Sequence, residues 1–453
     1  MARPLVISQR FPLKRITVSP AQTILLGFAS IIVVGGILLS LPAAATDGQP
    51  TPLIDALFTA TSATCVTGLV VVDTATHYSL FGQLVILTLI QVGGFGYMTT
   101  AMLLALLVGR RIGLRERMVL AESFNLYALG GVVRFTKMVI LVTLAIEGTG
   151  ALLLALRWAP EVGLPRGFYW GLFHAVSAFN NAGFDVMGNN FASLTRYVTD
   201  LPVNLIVTAL IILGGLGFGV LMNLRDGLRR LTLHSKIVLS TSLALILIGA
   251  LGILLFESGN PGTLGPLGWP GRALAAFFQS VTPRTAGFNT VQIGKMHDAT
   301  LMLLVILMFI GASPGGTGGG IKTTTFMAPL VVILAQLRGY PEPALFKRRL
   351  PSVVIYKAVT IALLGLAFVV TMSILLTVTE GVAFLPALVE VASGFGTVGL
   401  STGITPSLST LGKAIIMVTV FTGRVGLLTL AFGLTRRQMV PRFHYPEEPI
   451  YVG

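Results

Sequence analysis

Long apolar stretches alternate with short polar ones along the whole chain. Eight of them are long enough to cross a bilayer as helices, which takes about 20 mostly apolar residues. They cover residues 22–41, 80–108, 138–156, 201–224, 237–256, 299–337, 358–379 and 414–434. The pattern therefore predicts an all-α membrane protein with eight transmembrane helices, arranged as four consecutive pairs.

Between the two members of each pair lies a shorter apolar stretch of about ten to twelve residues, which is too short to cross the bilayer. Each of these stretches begins near a proline, a residue that suits the first turn of a helix because no intrahelical N–H bond is lost there. The prolines are Pro52, Pro165, Pro270 and Pro386. We expect half-helices that enter the membrane and return, a path tolerated only where protein or water covers the backbone.

Each half-helix ends in a short motif with glycine in its third position. The motifs are Val66-Thr67-Gly68-Leu69, Asn181-Ala182-Gly183-Phe184, Thr285-Ala286-Gly287-Phe288 and Thr397-Val398-Gly399-Leu400. Successive motif glycines are 115, 104 and 112 residues apart. A single copy would be weak evidence for a pore, because glycine is common in membrane helices. Four copies in register indicate four pseudo-repeats of first helix, half-helix and second helix (M1–P–M2) around a central pore.

The repeats divide the chain into six segments. A cytoplasmic N-terminal segment covers 1–21, and the repeats cover 22–108, 109–224, 225–337 and 338–434, followed by a cytoplasmic C-terminal tail at 435–453. In three repeats a serine stands six residues before the motif glycine, at Ser62, Ser177 and Ser393. Such detailed agreement exceeds what hydrophobicity alone would produce.

Composition and charge agree with a membrane location. The chain is 54% hydrophobic and 11% charged, with a mean hydropathy of +0.86. A net charge of +14 would suit nucleic acid, but 22 of the 31 Lys and Arg residues lie in one set of loops and only 7 in the set that holds the motifs. The positive-inside rule then places both termini in the cytoplasm and the motifs on the outside. We expect a multi-pass protein of the bacterial plasma membrane (cell inner membrane) in contact with the lipid bilayer, with no nucleic-acid partner.

Enzymatic chemistry finds little support in the sequence. Cys65 is the single cysteine, the five histidines are scattered without metal-binding spacing, and the spans carry no paired carboxylates. We therefore expect neither an enzyme nor a cofactor in this chain. An intramembrane enzyme and a secondary carrier for sodium or another small solute remain the alternatives, although a carrier usually has two inverted halves.

The second helix of each pair carries an aligned glycine cluster, beginning 25, 31, 24 and 24 residues after the motif glycine. Close helix packing explains the first two clusters. The third is a run that cannot hold a regular helix, because each glycine costs about 1 kcal/mol relative to alanine and proline about 3. It comprises Gly311, Ala312, Ser313, Pro314, Gly315, Gly316, Thr317, Gly318, Gly319 and Gly320. The third M2 is therefore predicted to break, with a flexible loop at 311–325 inside the membrane, below the motifs and structurally separate from them.

Several polar residues lie at unusual places in this apolar chain. Arg424 is a functional-site candidate by default, because an intramembrane charge is costly to retain. Lys322 either faces the pore as a blocking charge or extends toward the cytoplasm. Glu390 is expected to bond the motif backbone. Asp185 and Asn289 each follow a motif glycine by two residues, where they either attract cations or belong to a solvated loop or a cap.

The motifs, the broken third M2 and Arg424 resemble the Trk/Ktr/HKT superfamily of potassium transporters, and most of all its KtrB branch. The resemblance covers the chain from Gln22 onward. It implies potassium uptake through a channel-like pore whose selectivity filter comprises Val66, Thr67, Gly68, Asn181, Ala182, Gly183, Thr285, Ala286, Gly287, Thr397, Val398 and Gly399. It further implies that the glycine-rich loop is a gate contacted by Arg424, and that Gly68, where a serine would suggest sodium, indicates potassium.

The resemblance also implies partners. It points to a homodimer, with one pore in each protomer, on a cytoplasmic ring of nucleotide-binding KtrA-type subunits. Potassium would be the substrate, and whether sodium activates transport stays open.

Overall fold

The computed structural model describes residues 20–96, 99, 132–188, 193–434 and 448. The remainder of the predicted N-terminal segment, the C-terminal tail apart from residue 448, and the basic loop that holds Arg110 and Arg111 lie outside the described residues. So does most of the end of the second predicted span, 97–108.

The described chain is mostly helical and follows the predicted order of first helix, half-helix and second helix. In repeats 1 and 2 the helices are α1 Pro20–Ser40, α2 Leu53–Thr64, α3 Thr74–His77, α4 Leu80–Phe95, α5 Val132–Val162, α6 Leu164–Phe179, α7 Leu201–Leu216 and α8 Phe218–Arg225. In repeats 3 and 4 they are α9 Leu233–Glu257, α10 Trp269–Val281, α11 Asp298–Phe309, α12 Thr323–Leu337, α13 Ser352–Glu380, α14 Phe384–Gly396, α15 Thr410–Val425 and α16 Leu427–Leu434. A two-stranded antiparallel hairpin, β1 Ala344–Leu345 and β2 Arg348–Arg349, precedes α13.

The first helix of each repeat is long and continuous. Within the described residues, four helices are individually long and apolar enough to cross a membrane, and they are α1, α5, α9 and α13. Their outer faces carry exposed large apolar side chains such as Leu255 and Val378, each 77% exposed. A surface of this kind suits contact with lipid chains, and it supports the predicted membrane location.

The half-helices α2, α6, α10 and α14 form the centre of the fold. Each packs against the first helix of its own repeat and against the second helix of the preceding repeat, and α2 closes the circle by packing on α15 of repeat 4. An ion pair between Lys413 Nζ and Asp55 Oδ1, 2.6 Å long, ties these last two helices together. The four repeats therefore surround a common axis, with their half-helices innermost.

The second helices of the repeats differ from the sequence prediction, which expected a break only in repeat 3. In the described chain α4 ends at Gly96, α7 and α8 meet at Gly217 with a bend of 99°, and α15 and α16 meet at Gly426. These three glycines have φ of 76°, 91° and 89°, a left-handed conformation that side chains rarely adopt. Close packing, the interpretation given to the first two clusters, is therefore incomplete, because a glycine in each cluster also ends a helix in a left-handed conformation.

Close packing is nevertheless present beside each turn. A Cβ on Gly93, Gly214 or Gly423 would collide with the carbonyl oxygen of Thr64, Phe179 or Phe395, respectively. Those carbonyls lie at the carboxyl ends of half-helices. The glycine clusters thus let the second helices approach the half-helix ends closely.

The predicted break in the third M2 is present and extends over residues 310–322, here called the intramembrane loop. Thr323–Thr325, which the sequence prediction assigned to the loop, instead form the first turn of α12. They can be helical because the last glycine of the run is Gly320, so no helix-breaking residue lies among them.

Candidate ion-binding ring and intramembrane loop

The four glycine motifs share one backbone conformation. Their first residues all have a left-handed φ, of 52° at Val66, 58° at Asn181, 71° at Thr285 and 50° at Thr397. The motif glycines follow with φ of 88° at Gly68, 70° at Gly183, 80° at Gly287 and 96° at Gly399. Side-chain-bearing residues rarely adopt this conformation, and its presence at the same position of four loops makes the loops structurally equivalent.

The four motifs form a closed ring. A Cβ placed on Gly68 would lie 2.5 Å from the carbonyl oxygen of Ala182, and one on Gly183 would lie 2.7 Å from that of Ala286. In the same way a Cβ on Gly287 would meet Val398 O, and one on Gly399 would meet Thr67 O. Each glycine therefore touches the next motif in chain order, and the fourth touches the first. We call residues 66–68, 181–183, 285–287 and 397–399 the glycine ring.

Hydroxyl groups at the ends of the half-helices hold the ring loops in place. Ser62 Oγ and Ser393 Oγ each accept a hydrogen bond of 3.0 Å from the motif glycine N–H of their own repeat. Ser177 Oγ instead donates to Phe184 O at 2.8 Å. The serine spacing seen in the sequence thus belongs to a fixed set of contacts between half-helix and ring.

Repeat 3 lacks this serine but keeps the hydroxyl. Thr282, five residues before its glycine rather than six, donates from Oγ1 to Phe288 O at 2.5 Å. The backbone is shortened to match, since Ala286 N bonds Thr282 O, four residues back, whereas Thr67 N bonds Ser62 O, five residues back. Sequence reasoning missed Thr282 because it looked for an identical spacing.

The intramembrane loop fills the break at Gly217 in the second helix of repeat 2. Ile310 and Ile321 form an isolated parallel bridge across its base, with Gly311 N donating to Ile321 O at 2.8 Å. Ser313 N and Thr317 N donate to the carbonyls of Gly215 and Gly214 at 2.9 and 3.1 Å. Because the turn at Gly217 leaves those carbonyls without helical partners, the loop satisfies backbone groups that could not stay unpaired in the membrane.

The loop also contacts the ring, which corrects the expectation that the two are separate structures. Thr317 Oγ1 lies 3.1 Å from Asn181 Oδ1, and Gly319 N donates to Thr397 Oγ1 at 2.9 Å. A Cβ on Gly318 would collide with the side chain of Thr285. The loop therefore abuts the first residue of three ring motifs. Sequence reasoning could not foresee these bonds, because they join residues about 80 to 140 positions apart.

Two basic side chains bind the loop from within. Arg424, on α15, donates from Nη1 to Thr317 O and from Nη2 to Gly93 O, so it joins the loop to the second helix of repeat 1. The family resemblance implies this contact between Arg424 and the loop. Lys322 donates from Nζ to Gly318 O at 2.6 Å and reaches Gly319 O at 3.4 Å. Lys322 thus folds back on its own loop, an arrangement that neither of its two expected positions described.

Glu390 does not bond the motif backbone as expected. One of its carboxylate oxygens accepts from the hydroxyls of Ser401 and Thr405, the latter at 2.9 Å, so it anchors the loop that follows the ring. Glu147 is buried as well and accepts from Asn180 Nδ2 at 2.8 Å and Gln91 Nε2 at 3.1 Å. Both carboxylates serve to fix elements around the ring.

The residues that follow the ring lie in irregular chain outside the helices. Asp185 is half-buried, and its Oδ1 accepts from Met187 N at 3.2 Å. Burial, with a smaller contribution from nearby Asp73, raises the pKa of Asp185 to about 6. Asn289 donates from Nδ2 to Val291 O at 3.0 Å, so it belongs to the turn of its loop. Cys65 is fully buried at the end of α2, directly before the ring.

Comparisons with known proteins agree with this architecture. Residues 23–442 match the family model described as TrkH, cation transport protein. The chain is 43% identical to the Ktr system potassium uptake protein B of Bacillus subtilis over 97% of this chain and 98% of that protein. It is 39% identical to the potassium/sodium uptake protein NtpJ of Enterococcus hirae over 96% and 97%.

A solved structure has the same fold. The potassium transporter TrkH from Vibrio parahaemolyticus matches with a TM-score of 0.71, covering 94% of this chain and 87% of its own, at 18% sequence identity. The match confirms the predicted all-helical membrane architecture. The family match confirms that the protein is a transporter and not an enzyme. The chain belongs to the TrkH family of cation transport proteins.

Proposed function

We propose that this protein carries potassium ions into the cell through the glycine ring, with the intramembrane loop as its gate, as the membrane subunit of a Ktr-type uptake system. The observation that carries the proposal is the closure of the ring. Four loops of one backbone conformation meet in chain order, and each motif glycine lies against the carbonyl group of the next motif. Rings of backbone carbonyls can replace the hydration shell of potassium.

The half-helices supply a second argument for a cation. Each of them runs into its motif with its carboxyl end, where the helix dipole and unpaired carbonyls are negative. Four such ends around one axis favour a positive ion at the centre without any acidic side chain in the ring. A water-filled pore would also hydrate the backbone of the loops that follow the half-helices, which could not stay exposed to lipid.

The carrier alternative receives less support. A carrier with a site at the membrane midplane usually has two inverted halves, whereas here four repeats of one sense pack in a closed order. The names of the relatives leave the ion open to a degree, since one is a potassium/sodium uptake protein. Sodium transport therefore has to be measured alongside potassium transport.

The loop is suited to gating because its position couples it to several elements. It interrupts one second helix, fills the break of another, and is bonded by Arg424 of a third. Its glycines give it several accessible conformations, so its closed state depends on those bonds. Movement of any of these helices would disturb it.

The regulatory part of the proposal concerns the cytoplasmic side. We infer that the chain forms a homodimer and docks on a ring of nucleotide-binding subunits, since relatives bear the name of a Ktr system.

The hairpin of β1 and β2 presents exposed Lys347, Arg348 and Arg349 at its tip and second strand. Single cysteines at Lys347 and Arg348 in intact cells test the topology. Labelling by an impermeant reagent only after the membrane is opened is expected, and labelling from outside would contradict it.

The central experiment is potassium uptake in cells that lack their own uptake systems, at several sodium concentrations. The wild-type chain, expressed with a Ktr-type regulatory subunit, is expected to restore growth at low potassium and to accumulate potassium in preference to sodium. Gly399→Ala is the test variant, because its Cβ would collide with Thr67 O. Gly403→Ala is its matched control, since Gly403 has φ of 103° but nothing within 4 Å. Equal uptake by the two variants would contradict the ring as the ion path.

A further inference from the structure

One arginine of the structure stands apart from all the contacts described so far. Arg284 directly precedes the third ring motif and is only 7% exposed, although its sequence position suggested an external loop. Its backbone carbonyl accepts from Asn181 Nδ2 at 3.1 Å. Among the described residues, its guanidinium makes no hydrogen bond, ion pair or aromatic contact.

A second arginine, on the half-helix that leads to Arg284, shows what is unusual about Arg284. Arg272, at the start of α10, donates from Nε to Leu267 O and from Nη2 to Gly265 O, both at 2.7 Å. Its charge is thus covered by oxygen atoms. Arg284 has five N–H donors and no acceptor among its described neighbours, and an unpaired charge buried in this way is strongly destabilising.

Arg284 lines a small cavity next to the third ring motif. The cavity lies between α7, α9 and the end of α10, and its remaining wall is apolar except for one residue, Ser242. The hydroxyl of Ser242 is buried and has no hydrogen-bond partner in the described structure. Two polar side chains therefore line the same space, and neither has a hydrogen-bond partner among the described residues.

The size of the cavity and the charge of Arg284 indicate which kind of molecule or ion can occupy it. It has room for about one water-sized molecule, which excludes a phosphate, a lipid headgroup or a peptide carboxylate. Water would accept hydrogen bonds but leave the positive charge uncompensated in an apolar surrounding. A halide ion, only slightly larger than a water molecule, would accept hydrogen bonds from the guanidinium and the Ser242 hydroxyl and would neutralise the charge.

We infer that Arg284 and Ser242 form a binding site for a small monovalent anion of chloride size next to the third motif of the glycine ring. The inference stands on the cavity and does not depend on potassium as the transported ion. The bound anion would cancel a fixed positive charge that otherwise lies one residue from a ring proposed to hold cations. It would also support the third loop, since the backbone of Arg284 is bonded to Asn181 of the second.

Thermal unfolding of the purified protein tests the site. At fixed potassium concentration and ionic strength, replacing gluconate by chloride or bromide is expected to raise Tm by about 2 °C or more, growing with the logarithm of the halide concentration. Arg284→Met, which fills the space with apolar atoms, is expected to abolish this dependence, and Ser242→Ala to weaken it. Arg272→Met is the matched control and is expected to keep the full halide dependence.

Crystals grown in bromide provide a readout that needs no variant. The wild-type protein is expected to give an anomalous bromide peak between the Arg284 guanidinium and Ser242 Oγ. A halide-independent Tm together with no peak would overturn the site and leave water as the occupant. Equal stabilisation by sulfate would overturn the chloride-sized assignment, and a halide effect that persists in Arg284→Met would place the anion elsewhere.

Discussion

The glycine ring and the intramembrane loop are both built from glycine-rich, non-helical chain within the apolar part of the fold, yet they are organised in opposite ways. The ring consists of four equivalent loops, each with the same pair of left-handed residues and a hydroxyl tether to its half-helix. The loop is made by repeat 3, while the second helices of repeats 2 and 4 are each interrupted at a single glycine and that of repeat 1 ends at one. Equivalence suits a site that must surround an ion evenly, and departure from equivalence suits an element that must move.

The largest effect is expected from a substitution that makes one of the four ring motifs different from the others. Gly68→Ser places a side chain beside Ala182 O at a position with φ of 88°. It should displace a carbonyl or offer a competing oxygen, and lower the potassium-to-sodium uptake ratio about tenfold or more, which corresponds to about 1.4 kcal/mol. Gly48→Ser, at an exposed glycine with φ of 69° and nothing within 4 Å, serves as the control. An unchanged ratio for Gly68→Ser would remove Gly68 from the filter.

The next largest effect concerns the bonds that hold the loop. Arg424→Ala removes the donors to Thr317 O and Gly93 O, and deletion of Gly315 and Gly316 shortens the loop itself. Each change is expected to raise potassium flux several-fold, because the closed position loses contacts that count for more in a low-dielectric setting. Arg424→Lys keeps the charge but cannot bridge two carbonyls in the same planar geometry, so an intermediate flux is expected.

Flux has to be normalised to protein that has reached the membrane. If Arg424→Ala and the shortened loop both fold and reach the membrane with unchanged or lower flux, the loop is a packing device rather than a gate. Arg424→Lys with a flux equal to that of Arg424→Ala would show that geometry, and not charge alone, carries the contact.

A smaller effect is expected from a substitution that tests whether the glycine ring and the intramembrane loop act together. Thr317→Val removes the hydroxyl, which lies 3.1 Å from both Asn181 Oδ1 of the ring and Phe179 O at the end of its half-helix, while keeping the shape of the side chain. A net loss of about 1 kcal/mol is expected for such a bond, enough to shift the potassium-to-sodium ratio about fivefold at most. Thr317→Ser retains the hydroxyl and is expected to behave as wild type. Identical ratios for all three proteins would restore the view that ring and loop are independent.

The smallest effect depends on external pH. Because burial raises the pKa of Asp185 to about 6, its carboxyl is charged at pH 7.5 and largely neutral at pH 5. Potassium uptake at low concentration is expected to fall modestly, about twofold, as external pH drops through 6, and Asp185→Asn should remove this dependence. Since the folded pKa lies above the unfolded one, stability from this group is full below pH 3.8 and is lost as pH rises through 6.

The sequence was enough to predict the equivalent parts of the molecule. Four repeats, half-helices that begin near prolines, and loops ending at Gly68, Gly183, Gly287 and Gly399 all follow from periodicity, because the same local chemistry recurs in each quarter of the chain. The broken third M2 followed from the local cost of six glycines and a proline. These features depend on neighbours in sequence, which a sequence displays directly.

The features that the sequence did not reveal depend on distant partners. The turn at Gly217 is visible only once the carbonyls of Gly214 and Gly215 are seen to bond the loop. The partners of Glu390 and the isolation of Arg284 likewise depend on which elements pack around them. From the sequence alone, a single glycine in an apolar helix is equally compatible with close helix packing and with a break in the helix. The tertiary contacts determine which of the two occurs.

The contact between the fourth ring motif and the first has a consequence for biosynthesis. A ribosome makes repeat 1 long before repeat 4, so Thr67 O waits for Gly399 and Asp55 waits for Lys413 while more than 300 residues are synthesised and inserted. Until then the nascent chain has an open circle of half-helices and an incomplete ring. Repeat 4 would therefore complete the ring, and on the proposed ion path a chain that lacks repeat 4 would not conduct ions.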